Sequence, residues 1–238
     1  MNNTFDVDIL DKNYKLKIVK RKNCKKIILK ISLKNKQPVI SIPYSVTYQE
    51  AINFFKKNHS WVDNQLSQTS SKNLEYHFAN LSEISIAGDI YKIIKNPANK
   101  KNIIDINAEL KEIYLEFKDF KSEALIEKKF IQFLKKLAKT CFYNISEYKA
   151  KQIGTNFVKL SVSDTTSKWG SCSSTKKLQY NYRLIMAPVF VIDYVISHEV
   201  AHLIELNHGT NFWNIVSQLT PYKTKANSWL KHNGKSLY

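Results

Sequence analysis

His198, Glu199 and His202 stand together in a 238-residue chain, in the run Ser197-His198-Glu199-Val200-Ala201-His202. On a helix, histidines four residues apart project from one face, so both imidazoles can reach a single cation. Glu199 lies about 100° further round, beside such a cation rather than on it. This is the H-E-x-x-H pattern, in which the histidines bind zinc and the glutamate serves as general base. The chemistry it points to is hydrolysis, most simply of a peptide bond. Zinc would acidify a water and polarise the carbonyl, and Glu199 would take the proton and return it to the leaving amine.

Asn207-His208-Gly209 reads as the helix stop, with Gly209 free to take positive φ and reverse the chain. Such a reversal would return His208 to the metal as third ligand and leave the fourth position to water, as in a catalytic zinc site. Glu205 competes for that place, because it shares a helical face with His198 and His202. One further turn along a straight helix would strain the tetrahedron, so Glu205 is expected to hydrogen-bond behind the ligands or to face solvent.

The elements around these residues follow from pattern. Pro188 suits the start of a helix, expected to run from Val189 to Glu205, and Thr210 is expected to cap the next, which carries Phe212, Trp213, Ile215, Val216 and Leu219. Leu178, Tyr180, Tyr182, Leu184 and Met186 alternate with Gln179, Asn181 and Arg183, which predicts a strand offering an edge to an extended peptide. Val158, Leu160 and Val162 predict another strand. Ser122 is expected to cap a helix through Ile126, Phe130, Phe133, Leu134, Leu137 and Cys141, with the Cys141 thiol on its apolar face. Gly170 marks a bend or a close backbone approach, Trp169 a core aromatic, and Arg183 an ion pair with Asp164 or Asp193, with a substrate carboxylate as the alternative partner. Tyr194, Tyr182 or a backbone N–H are the candidates for an oxyanion donor.

Upstream, alternation at Ile27, Leu29, Ile31 and Leu33, then at Ile40 and Ile42, predicts strands. Thr47 and Glu50 form a capping box opening one helix through Ile52, Phe55, His59, Val62 and Leu66. Ala87-Gly88-Asp89 marks a short hairpin, and Asn102–Asn107 and Glu112–Phe117 two further strands. Ser67–Asn73 is the best linker candidate, and no internal repeat is visible. The expected class is α+β, with residues 1–120 mostly β with one helix and residues 121–238 the catalytic region.

Lys168-Trp-Gly-Ser-Cys172, Tyr180-Asn-Tyr-Arg-Leu-Ile-Met-Ala-Pro188, His198-Glu-Val-Ala-His202 and Asn207-His208 through Phe212-Trp213 together resemble the YgjP-like metallopeptidase domain family, which is related to the WLM and SprT-like zincins. The resemblance is strong over residues 155–220 and looser before 120. It implies a zincin-like catalytic half with His198, His202 and His208 on zinc and Glu199 as acid/base. Lys168 stands where the family usually has Arg, and Tyr182 where it usually has Trp. The His202–His208 spacing also equals the metzincin one, but that pattern carries glycine where this chain has Glu205.

Composition narrows the setting. With 43% hydrophobic residues the chain has a core to bury, and five Gly and five Pro exclude collagen-like designs. The longest nearly apolar run, Leu184 to Ile196, includes Asp193 and is too short to span a bilayer. No secretory signal is visible at the start, and three scattered cysteines suit a reducing cytoplasm. The net charge is +17, from 37 Lys+Arg against 20 Asp+Glu, yet only Arg21 and Arg183 are arginines. Lysine makes point-charge contacts without the bidentate fork that reads bases and phosphates, so most of this charge is expected to be solvated surface. Two alternatives stay open beside a peptidase: a metal-dependent nucleotide phosphohydrolase, and a nucleic-acid-associated adaptor or protease using the lysine-rich surface.

Overall fold

The computed structural model describes residues 2–10, 12–32, 37–70, 78–97 and 102–238. The chain is mixed α and β, β-rich first and helical later, and divides into two compact units, Met1–Asn73 and Leu74–Tyr238.

In the first unit, β1 (Asn2–Ile9) pairs antiparallel with β2 (Lys12–Lys20), and β3 (Ile28–Ser32) with β4 (Gln37–Ile42). β2 and β4 run parallel at the centre, giving the order β1-β2-β4-β3. Leu16, Ile18, Ile40 and Ile42 are fully buried against Ala51, Phe55 and Val62, each large side chain contributing about 1.5–3 kcal/mol. The capping box forms: Thr47 Oγ1 accepts from the Glu50 N–H, and Glu50 accepts from the Thr47 N–H. The one helix expected here is two, α1 (Tyr48–Lys57) and α2 (His59–Ser70). The break falls at Asn58, whose amide donates back to the carbonyl of Phe54 and so ends the first helix. α2 also takes in the first half of the expected linker; the rest of it, from residue 71, lies outside the described residues.

The second unit opens with β5 (Glu83–Ile86), β6 (Asp89–Pro97), β7 (Ile103–Asn107) and β8 (Glu112–Phe117), in the order β5-β6-β8-β7 with the same antiparallel, parallel, antiparallel pairing. The two sheets thus share one topology that no sequence repeat announces. The apolar residues of the second sheet, Ile84, Ile93, Ile113, Leu115 and Phe117, share a core with Ile126, Phe130 and Leu134 of α3 (Glu123–Gln152). That shared core is why the compact units part at 73/74 and not near 120.

The remaining elements frame one end of α4 (Val189–Ala201). A three-stranded sheet holds β9 (Lys159–Ser163), β10 (Gly170–Cys172) and β11 (Lys177–Asn181) in the order β10-β11-β9. β11 is central, so the edges of this sheet belong to β10 and β9 and not to β11 as expected. Nor does that strand reach Met186. The Asn181 side chain accepts from the Arg183 N–H and turns Tyr182–Met186 into a 3-10 segment. α5 (Thr210–Leu219) and α6 (Lys223–Asn233) complete the unit.

Two contacts fix α4. At its start, Ala87 (φ 52) and Gly88 (φ 91) form the left-handed β5–β6 turn, and the Ala87 N–H donates to the Ile185 carbonyl at 2.7 Å. Further on, the buried Lys149 of α3 bonds Asp193 at 2.7 Å and donates to the carbonyl of Leu219, at the end of α5, at 2.8 Å.

Candidate metal centre

His198 and Glu199 occupy the last turn of α4, and His202 caps its end. The helix stops four residues before Glu205. Leu203 and Ile204 bond to carbonyls only three residues back, which tightens the last turn. Gly209 does not adopt positive φ: its backbone is extended (φ −80, ψ −172), and the reversal runs through a bond from its N–H to the Asn207 carbonyl. Gly209 is the N-cap of α5, and Thr210, expected as the cap, is its first helical residue.

These turns bring His198, His202 and His208 together, one ring nitrogen from each within 4.8 Å of the others. The Nε2 atoms of His198 and His208 are 3.0 Å apart. His202 Nδ1 donates to the Glu205 carbonyl at 2.9 Å, which orients the ring and leaves Nε2 with a free lone pair. Glu205 therefore acts through its backbone, and its carboxylate is not part of the cluster. Burial, then the neighbouring His202, His208 and Lys223, push His198 down to about 4. Burial likewise lowers His202. Both shifts favour the neutral imidazole, the form that binds metal.

Phe212 floors the cluster, its ring centroid 4.9, 4.4 and 4.7 Å from those of His198, His202 and His208. Trp213 stands 5.9 Å from His198 and from His208. Pattern reading assigned both to the apolar face of α5 and missed their contact with the rings. The available signal was spacing, since Phe212 follows His208 by four residues.

Glu199 is 7% exposed and faces β10. Burial raises it to about 7, while Lys168 and the Cys172 backbone N–H pull the other way. Gly170 is the close approach its residue type foretold: a Cβ there would meet the Glu199 side chain. Of the oxyanion candidates, Tyr194 lies beside His198, with its hydroxyl bonded to Asn227. Tyr182 packs instead between Lys135 and Arg183. Arg183 pairs with Asp164, one of its expected partners. Trp169 is partly buried against Tyr238, and Cys141 lines the core with its thiol pushed up by burial.

A family model described as YgjP-like, metallopeptidase domain, matches residues 25–233. The chain belongs to the YgjP-like family. No curated protein and no solved structure gives a match. A YgjP-like metallopeptidase domain implies a metal ion, and the donors here suit one. A tetrahedral ion bonded to imidazoles at about 2.0–2.1 Å holds their nitrogens within about 3.5 Å of each other, a spacing the His198–His208 pair meets. Three imidazole nitrogens without thiolates suit a first-row transition metal such as Zn, Cu, Fe or Ni. Among the described residues of this YgjP-like chain, no helix is long and apolar enough to cross a membrane.

Proposed function

We propose that the chain is a zinc-dependent peptidase in which His198, His202 and His208 hold the ion and Glu199 is the general base. The observation that carries this reading is three converging imidazoles at the end of a helix that also bears a buried carboxylate, set against the edge strand β10. Bound zinc would supply a Lewis acid that acidifies water and polarises the scissile carbonyl.

The chain's own residues do the rest. An extended peptide adds to the edge of β10 through main-chain hydrogen bonds, which lays its backbone alongside Glu199. Glu199 takes a proton from the attacking water on a carboxylate oxygen and passes it to the leaving amine. The Cys172 N–H of β10 favours the charged form of that carboxylate. The Glu205 carbonyl keeps the His202 ring turned toward the cluster, and the Phe212 floor keeps water from the far side of the rings. Neither the nucleotide-hydrolase nor the nucleic-acid reading gains an observation from the fold or the comparisons.

Zinc content and peptide hydrolysis of Glu199→Gln test this assignment. About one equivalent of zinc should remain while turnover is lost, and a fully active variant would remove Glu199 from its role.

A further inference from the structure

Two lysines that pair with no carboxylate among the described residues lie near the candidate centre. Lys223, the first residue of α6, is half-buried with its ammonium 3.6 Å from the centroid of the Trp213 indole. That indole is the one that lies beside His198 and His208. Lys168 precedes β10 by two residues and donates to the Ser171 hydroxyl at 2.9 Å.

The surroundings do not neutralise them. From Leu206 to Tyr238 the sequence holds no Asp or Glu. Asp193 is taken by Lys149, and Glu199 is buried under β10. Geometry ties both to the centre: Lys223 sits on the indole beside His198 and His208, and Lys168 is held at Ser171 of the strand that covers Glu199. An ammonium resting on an indole face is held in place without being neutralised, so its field stays available to a ligand. The Lys168 ammonium is held at Ser171, the next residue of β10 after the Gly170–Glu199 contact.

Resting on the peptidase reading, we propose that the centre selects peptides carrying a carboxylate within two or three residues of the scissile bond, received by Lys223 and Lys168. The carboxylate is that of an Asp or Glu side chain or of the substrate's own C-terminus.

The test uses the zinc-loaded full chain and quenched fluorogenic peptides that differ only by Glu or Gln near the cleaved bond, each with a free or an amidated C-terminus. The Glu peptides should be cleaved with about fivefold higher kcat/KM, the worth of one solvent-screened ion pair. The advantage should shrink as salt rises. A preference confined to the free-ended peptides would assign the carboxylate to the C-terminus. The Glu/Gln ratio should fall toward one in Lys223→Gln and Lys168→Gln, and K223E should invert it toward Lys-bearing peptides, with circular dichroism and zinc content as checks on folding. Binding of the same peptides, labelled, to zinc-loaded Glu199→Gln by fluorescence anisotropy gives a readout that needs no turnover. Cleavage without charge preference overturns this inference and leaves the peptidase reading standing. Tighter binding of acidic peptides with no cleavage of any peptide by the unmutated chain overturns the peptidase reading and upholds the charged cleft. Neither cleavage nor preferential binding overturns both.

Discussion

The Cβ that Gly170 lacks would lie 2.6 Å from Cγ of Glu199 and 2.8 Å from its Oε1. Carbon atoms in contact rest about 3.5–4.0 Å apart, so only a glycine lets β10 run this close to the carboxylate. The strand edge and the proposed base are set directly against each other, with no side chain between them. The φ of Gly170 is not in the left-handed region; the demand at this position is for space alone.

Gly170→Ala should therefore push the carboxylate aside without touching a histidine. A displacement of about 1 Å at a reacting group costs on the order of a hundredfold in rate. Peptide turnover should fall by that order while zinc content stays near one equivalent. Wild-type rates in the alanine variant would mean that Glu199 tolerates relocation.

His208→Ala should lose most of the bound zinc on dialysis, measured by elemental analysis. Glu205→Gln should keep it, because Glu205 meets His202 through its backbone carbonyl. Zinc lost from the Gln variant and kept by the Ala variant would exchange the two assignments.

Cys172 should be a slow nucleophile. Burial first, then the charge of Glu199, push its thiol up to about 11 from an ordinary 9, with Lys176 pulling back. Two units leave about a hundredfold less thiolate at pH 8, and reactivity should climb as pH rises through 11. Mass spectrometry after iodoacetamide treatment at pH 8 should find Cys172 labelled far more slowly than an unfolded peptide cysteine, and equal rates would contradict the shift.

Gly88→Ala should destabilise the second unit. Its φ of 91 is strained for a side chain, and the added Cβ would stand 3.3 Å from Pro188 Cα. A left-handed residue bearing a Cβ costs about 1–2 kcal/mol, readable as a lower midpoint in urea. An unchanged midpoint would mean that the turn and the start of α4 give way together.

Local chemistry made much of this legible in the sequence. The histidine spacing, the Thr47–Glu50 box and the Ala-Gly turn are each complete within a few residues, and the fold carries all three out. What pattern reading missed was decided by side chains bonding across elements or back onto the chain. Apolar alternation runs on through Tyr182, Leu184 and Met186, yet the Asn181 cap ends the strand because a side-chain acceptor outbids the ladder there. Asn58 splits a helix whose apolar spacing continues unbroken. Phe212, Lys223 and the Cys172 N–H join the centre only once α5, α6 and β10 pack around α4. One-dimensional spacing carries no trace of such contacts beyond the Phe212 offset.

Lys149 extends the site well past its visible members. Its single ammonium grips the helix bearing His198 and the far end of the helix that His208 leads into. The convergence of the imidazoles is thus partly governed by a residue in the long helix that touches none of them. Variants found by screening for lost metal should include changes at this position, and in these the three histidines would be intact but no longer aimed at one point.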